Sequence, residues 1–200
     1  FVGINAVEQY IGDYALAQSF AFQAGTDSGK TVAIIGGGPA GLSAAYQLRL
    51  KGHGVTLFDD HAELGGMAKY GVPGYRLPRQ HLDGEINRII AMGVAVKTNT
   101  RIGTDIPLQD ILAQFDAVLF AIGCKSGRSL PVPGADAPNC ISGVAFLEAF
   151  NQGRLQSVAG RVVVVGGGDT SVDVVSVARR LGYAKNMTDA ERPEFVVMGH

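Results

Sequence analysis

Two short glycine clusters hold the residues best suited to chemistry. The first, Gly36-x-Gly38-x-x-Gly41, sits in VAIIGGGPAGLSAAYQLRLKG, residues 32–52. The second, Gly166-x-Gly168-x-x-Ser171, sits in VVVVGGGDTSVDVVSVARRLG, residues 162–182. In both, a continuous apolar run leads into the glycines and a helical pattern leads out. The first glycine permits a tight bend. The second lets bare backbone approach a pyrophosphate, and the third small residue lets the helix pack closely on the strand. Free N–H groups at the helix start, together with the helix dipole, attract phosphate. The chemistry expected at each turn is therefore capture of a dinucleotide.

A carboxylate after the next strand completes such a unit. Asp59 follows Gly36 by twenty-three positions, close to the roughly 20 expected, so Asp59 or Asp60 can bond a ribose hydroxyl. Pro39 suits the first helical turn, where its missing N–H has no helical partner. The corresponding distance after Gly166 falls in the polar run NMTDAERPEF, so the second unit is either interrupted by an insertion or atypical.

These turns need elements to position them. Residues 1–24 carry helical spacing in Val7, Tyr10, Ile11, Tyr14, Ala15 and Leu16, with Asn5 as a candidate cap. GTDSGK is a linker. A buried strand is expected at Thr31–Ile35, a helix from Ala40 to Leu50, and a strand at Val55–Phe58. A Gly- and Pro-rich loop fills 59–80, a length that usually signals function or disorder. Then come a helix ended by Gly93, a strand at 94–99, a short helix in PLQDILAQF, and a buried strand in DAVLFAIG. A further helix, SGVAFLEAF, is capped by Ser142. The second unit opens at Arg161–Val165. Its helix runs to Leu181, with Gly182 as the stop, and a strand at 195–198 follows.

Composition narrows the classes. Apolar residues make up 46% and net charge is −1, so a core is expected and no basic face marks a nucleic acid or a membrane surface. No apolar run approaches the roughly 20 residues that span a bilayer. The two cysteines, Cys124 and Cys140, make no C-x-x-C pair and no metal spacing. A cytoplasmic setting follows as the expectation, with Cys124 a buried hydrophobe and Cys140 a loop residue. Neither a disulfide reductase nor a metal site is indicated. His53, His61, His81 and His200 read as surface or structural, Asp173 as a helix-dipole partner, and Arg179 and Arg180 as cations suiting the helix end. No general acid or base stands out.

GGGPAGLSAAYQL, LGGMAKYGVPGYRLP, DAVLFAIG and GGGDTSVDVVSVARRLG together resemble the small subunit of glutamate synthase and its relatives. Those relatives include the flavoprotein parts of dihydropyrimidine dehydrogenase and of NADH-dependent ferredoxin–NADP oxidoreductases. The GVPGYRLP segment is the most specific element. The resemblance implies an α/β fold of two Rossmann-like dinucleotide-binding domains, an FAD domain split by an NAD(P)H domain, preceded by a short helical segment. It places the tail of an iron–sulfur-type N-terminal domain at 1–24, the first part of the FAD domain at 30–155, and an incomplete NAD(P)H domain at 160–200. Phe1 in place of Met, the lack of cluster cysteines, and the break at FVVMGH make a piece of a longer protein the expectation. Any [4Fe–4S] clusters would then lie on another segment or a partner subunit.

By the same resemblance, Gly36, Gly38, Pro39, Ala40 and Gly41 face the FAD pyrophosphate and Asp59 takes the ribose. Leu64, Gly65, Gly66 and Met67 pass near the cofactor's centre, and Arg76 and Leu77 lie near the flavin. Gly123 closes a strand end that reads AIG, with Ile122 where the family has Thr. Gly166, Gly168, Asp169, Thr170 and Ser171 hold the nicotinamide dinucleotide. The implied activity is electron transfer between NAD(P)H and iron–sulfur clusters or a partner subunit, through FAD. A subunit that binds nucleotide only structurally is the alternative.

Overall fold

A computed structural model of the chain describes residues 3–127 and 129–181, and the backbone of 195–198. It divides into two compact units. The first comprises 1–68 and 77–123, the second 69–76 and 124–200.

In the first unit, β1 (Thr31–Ile35), β2 (Gly54–Phe58), β3 (Ala95–Lys97) and β4 (Ala117–Phe120) form one parallel sheet in the order β3-β2-β1-β4. Val32 pairs with Val55 on one side and with Ala117 on the other. The apolar run of β1 is buried at four of its five residues because it lies inside the sheet. Helices α2 (Pro39–Leu50) and α4 (Arg79–Ile90) supply Leu42, Ala45 and Ile86 to a core with Ile34, Val55, Leu57, Leu64 and Val94. Helix α5 (Leu108–Gln114) supplies Ile111 to a second cluster with Ala33 and Phe58.

Helix α1 (Ile4–Ala17) is shorter than the helical pattern that begins the chain. Its N-cap is Gly3, with no side-chain bond, and Asn5 lies inside the helix. Residues 20–24 are not helical. The segment is fastened to α4: Asp13 pairs with His81 at 2.7 Å, and Arg88 donates to the Phe20 carbonyl at 2.8 Å. The Arg88 guanidinium also lies 4.0 Å from the centre of the Phe22 ring. Residues 1–24, expected as the tail of another domain, thus group with the first unit.

β4 differs from expectation. DAVLFAIG reads as buried, yet β4 is a sheet edge, with Phe120 55% and Ile122 60% exposed. An apolar run records that a strand is meant to be covered, and by itself does not say on how many sides.

The second unit holds a parallel sheet in the order β5-β7-β6, from β5 (Cys140–Ser142), β6 (Val162–Val165) and β7 (Phe195–Met198). Helices α6 (Gly143–Asn151) and α7 (Asp169–Leu181) cover it, with Phe146, Leu147, Val158, Val174 and Val177 as the buried cluster. Ser142 caps α6 as expected, its Oγ accepting the Ala145 N–H at 3.2 Å. β5 and α6 belong here, not with the first unit as the 30–155 boundary had them, because β5 pairs with β7. That pairing also puts Cys140 on a strand, and Cys124 is exposed, contrary to both expectations for the cysteines. Gly182, the polar run up to residue 194, and His200 lie outside the described residues.

Candidate dinucleotide-binding site

The first glycine turn stands at the C-terminal end of β1, between β1 and α2. The chain leaves β1 for β2 on one side of the sheet and returns as β4 on the other. The turn therefore sits at the switch of strand order, where open α/β sheets bind ligands. Gly36 has φ of +111°, and a Cβ there would strike the Ala121 carbonyl. A Cβ on Gly41 would strike the Gly36 carbonyl, so the third glycine is required by the close seating of α2. Helix α2 starts at Gly38 and Pro39 with no side-chain cap. Its first intrahelical bond from outside the helix proper is Leu42 N–H to the Gly38 carbonyl, at 2.9 Å. An uncapped helix start at this edge of a parallel sheet fits a pyrophosphate. Pro39 and Ala40 are exposed there.

Asp59 is placed at the end of β2, as its spacing requires, but is only 6% exposed. Its Oδ2 accepts the Gly37 N–H at 2.6 Å, and its Oδ1 accepts the His61 N–H at 2.8 Å. His61 Nδ1 lies 3.2 Å from Asp59 Oδ1 and 3.1 Å from Asp60 Oδ1. Asp60 is the more exposed of the two carboxylates, at 31% for its side chain. The three could gather around a cation, but Asp59 is already committed to backbone donors.

The loop after β2 folds back onto the turn. Gly65 N–H donates to the Gly37 carbonyl at 2.8 Å. Gly66, with φ of +51°, lies against Gly38, where a Cβ on Gly66 would stand 2.6 Å from the Gly38 Cα. Leu64 is buried in the core, and Met67 is 38% exposed at the start of the short helix α3 (Met67–Tyr70). Arg79 donates to the Ala68 carbonyl at 2.9 Å and closes the base of the loop. Burial lowers the Arg79 pKa, against the pull of Asp83 and Glu63. The structure thus gathers Gly36, Gly38, Gly41, Asp59, Leu64, Gly65 and Gly66 into one cluster. Leu77 is half-buried in the same unit, and Gly123, with φ of +63°, ends it.

Arg76 belongs to the second unit. Its Nη1 lies 2.9 Å from Asp173 Oδ1 on α7, and that bond raises the guanidinium pKa. Asp173 is buried and has an ion-pair partner, which the reading of it as a helix-dipole residue did not foresee. Tyr75 lies beneath Arg180, whose guanidinium carbon is 3.9 Å from the ring centre. Asn151 Nδ2 donates to the carbonyls of Tyr70 at 2.7 Å and Val72 at 3.3 Å. The motif GVPGYR is therefore bound through three side chains of α6 and α7. Arg180 is engaged here, whereas Arg179 lines an apolar pocket with Val158, Val162, Val164, Val175 and Ala178.

The second glycine turn is open. Gly166 has φ of +130°, Gly166, Gly168 and Asp169 are exposed, and no atom of the described residues stands within 4 Å of a Cβ placed on Gly167. Thr170 is half-buried. Ser171, the small third residue, is 3% exposed, and its Oγ has no hydrogen-bond partner among the described residues.

The model of one family, pyridine nucleotide-disulphide oxidoreductase, matches residues 30–196. The chain belongs to the pyridine nucleotide-disulphide oxidoreductase family. It is 47% identical over 158 residues to the NADP(+)-dependent formate dehydrogenase subunit beta of Moorella thermoacetica. That match takes in 78% of this chain and 22% of the relative. It is 34% identical over 195 residues to the glutamate synthase [NADPH] small chain of Azospirillum brasilense, covering 90% of this chain and 40% of that one. The resemblance to the glutamate synthase small subunit is thereby met. Among solved structures, Mycobacterium tuberculosis FprA in complex with NADPH superposes with a TM-score of 0.66 at 25% identity, over 73% of this chain and 35% of that one. The chain spans between about a fifth and two fifths of the length of these relatives. No described helix is long and apolar enough to cross a membrane.

Residue-type reasoning missed Gly37, which fell at a free position of the glycine pattern. It also missed Asn151. The adjacency of Leu64 to two further glycines was the one signal that could have drawn attention to the turn's second layer.

Proposed function

We propose that this chain is the dinucleotide-binding part of an FAD-dependent NAD(P)H oxidoreductase that passes electrons to iron–sulfur clusters on another segment or on a partner subunit. The uncapped start of α2 at the switch point of the first sheet carries the reading. Gly36, Gly38, Pro39, Ala40 and Gly41 would hold the FAD pyrophosphate. Asp59, Asp60, Leu64, Gly65, Gly66 and Met67 would line the rest of its path, with Leu77 and Gly123 at the unit's margin and Arg76 on the motif that follows.

Gly166, Gly168, Asp169, Thr170 and Ser171 would hold the nicotinamide dinucleotide. The open backbone at Gly167 leaves room for it. The names of the relatives support NADPH as the donor. The two-domain Rossmann arrangement, with the FAD domain interrupted by the NAD(P)H domain, is part of the proposal, as is a cytoplasmic setting. When bound, FAD supplies the ring that accepts the hydride. The chain's own residues bind and orient, and no side chain is assigned a proton. Cys124 and Cys140 are both free and form no C-x-x-C pair, so the reading assigns neither a redox role.

Equilibrium titration with FAD, followed by quenching of flavin fluorescence, tests the reading. Saturable one-to-one binding that Gly41→Val abolishes is expected, and binding unaffected by that substitution contradicts it.

A further inference from the structure

We propose that His61 is a positioning residue for Asp59, one that sets the carboxylate to accept a ribose hydroxyl. The proposal rests on the reading of the first turn as an FAD site with Asp59 at the ribose. Asp59, Asp60 and His61 each bring a polar atom within 4.8 Å of the others. His61 Nδ1 stands between the two carboxylates, 3.2 Å from Asp59 Oδ1 and 3.1 Å from Asp60 Oδ1. Both neighbours are acceptors when ionised, so Nδ1 carries a proton and donates to them. Two carboxylates this close repel one another. The shared donor offsets that repulsion and lets Asp60 lie beside Asp59 without turning it away from the turn. The ring is 18% exposed, so little water competes for the contact.

The imidazole is aimed from a fixed base. Asp59 N–H donates to the Lys97 carbonyl at 3.0 Å, Thr100 N–H to the Asp59 carbonyl at 2.8 Å, and Asn99 N–H to the His61 carbonyl at 2.9 Å. Backbone bonding between β2 and β3 thus runs on past the end of β2 and holds residues 59–61. The far side of the carboxylate is set by Gly37, whose N–H donates to Asp59 Oδ2 at 2.6 Å. Gly37 is itself boxed in. Its carbonyl accepts the Gly65 N–H at 2.8 Å, and a Cβ on it would stand 2.5 Å from Leu64 Cδ2. Each Asp59 oxygen takes one backbone N–H, and an ionised carboxylate offers about four acceptor positions. Acceptor capacity therefore remains for a ribose hydroxyl. The imidazole adds a side-chain hold to the two backbone ones, and a group so supported meets its ligand with little rearrangement.

Displacement of FAD by ADP and by 2′,3′-dideoxy-ADP, which lacks both ribose hydroxyls, tests the proposal. The unsubstituted protein should favour ADP by about tenfold or more, as a hydrogen bond to a charged group implies. His61→Ala should cut that preference by about threefold or more, weakening ADP and leaving dideoxy-ADP as it was. His61→Phe, which keeps the bulk of the ring and loses its donor, should do the same. His61→Asn, whose amide nitrogen can stand where Nδ1 stood, should keep the preference. An undiminished preference in His61→Ala or His61→Phe overturns the proposal. Equal weakening of both nucleotides overturns it as well, since a merely structural residue would act that way. A preference in His61→Asn no better than in His61→Ala also overturns it. If the unsubstituted protein binds the two nucleotides equally, Asp59 does not meet the ribose, and that part of the reading fails together with the proposal. If it binds neither FAD nor ADP, the reading of the turn itself fails and takes the proposal with it.

Discussion

Arg76 and Asp173, ninety-seven positions apart, meet at 2.9 Å, and only the aspartate is buried. The asymmetry sets what each substitution does. Arg76→Ala strands a buried carboxylate without its ion-pair partner, whereas Asp173→Ala releases an arginine that water can solvate. Thermal unfolding should show a larger drop in midpoint for Arg76→Ala than for Asp173→Ala. Equal drops would mean that the pair does not hold the GVPGYR motif on α7.

Asn151 secures the same motif from α6 by donating to the carbonyls of Tyr70 and Val72. Asn151→Ala is expected to cost about 0.5–1.5 kcal/mol, the ordinary worth of such a bond, in urea unfolding. Asn151→Asp, which places an acceptor against acceptors, should cost more.

The two glycine turns respond oppositely at their third position. Gly41→Ala drives a methyl group into the Gly36 carbonyl and should destabilise by about 1–3 kcal/mol. Ser171→Ala removes a buried hydroxyl that has no partner among the described residues, so it should be neutral or stabilise by about 1 kcal/mol. Denaturant midpoints of the two variants decide this. A destabilised Ser171→Ala would show that the hydroxyl is in use.

Asp116 gives the acid limb of stability a definite position. Its side chain accepts from Lys30 Nζ at 2.8 Å and from the Thr31 N–H at 2.8 Å. These bonds, the Lys30 one foremost, hold its pKa at about 2, below the ordinary 3.8. Between those values the unfolded chain binds the proton and the folded chain does not. Stability from this group is therefore complete above pH 3.8 and lost as pH falls toward 2. Both side chains are solvent-accessible, so the effect is small and screened by salt. Asp116→Asn should flatten the acid slope of the unfolding midpoint in that window and lower the midpoint slightly near neutrality, where the carboxylate's contribution is complete.

Much of the local geometry of the candidate site was legible because its signals are local. An apolar run, a glycine turn and a helical pattern lie within twenty residues of one another, and both units fold as that order implies. Ser142 was legible as a cap for the same reason. What escaped was decided by distant partners. Nothing near Asp173 points to Arg76. The run at β4 reads the same whether the strand is central or at an edge. Gly37 reads as a free position because its constraints come from Asp59, Leu64 and Gly65, which reach it only after the chain has crossed to β2 and turned back. β5 and α6 joined the second unit through pairing with a strand more than fifty residues further on.

The central claim is that one turn holds FAD and the other holds the nicotinamide donor that reduces it. Anaerobic addition of NADPH to FAD-loaded protein tests it most directly. Loss of the oxidised flavin absorbance is expected, with Gly168→Val suppressing the loss while FAD stays bound. Bound FAD that keeps its absorbance in excess NADPH, or bleaching that Gly168→Val leaves untouched, would contradict it.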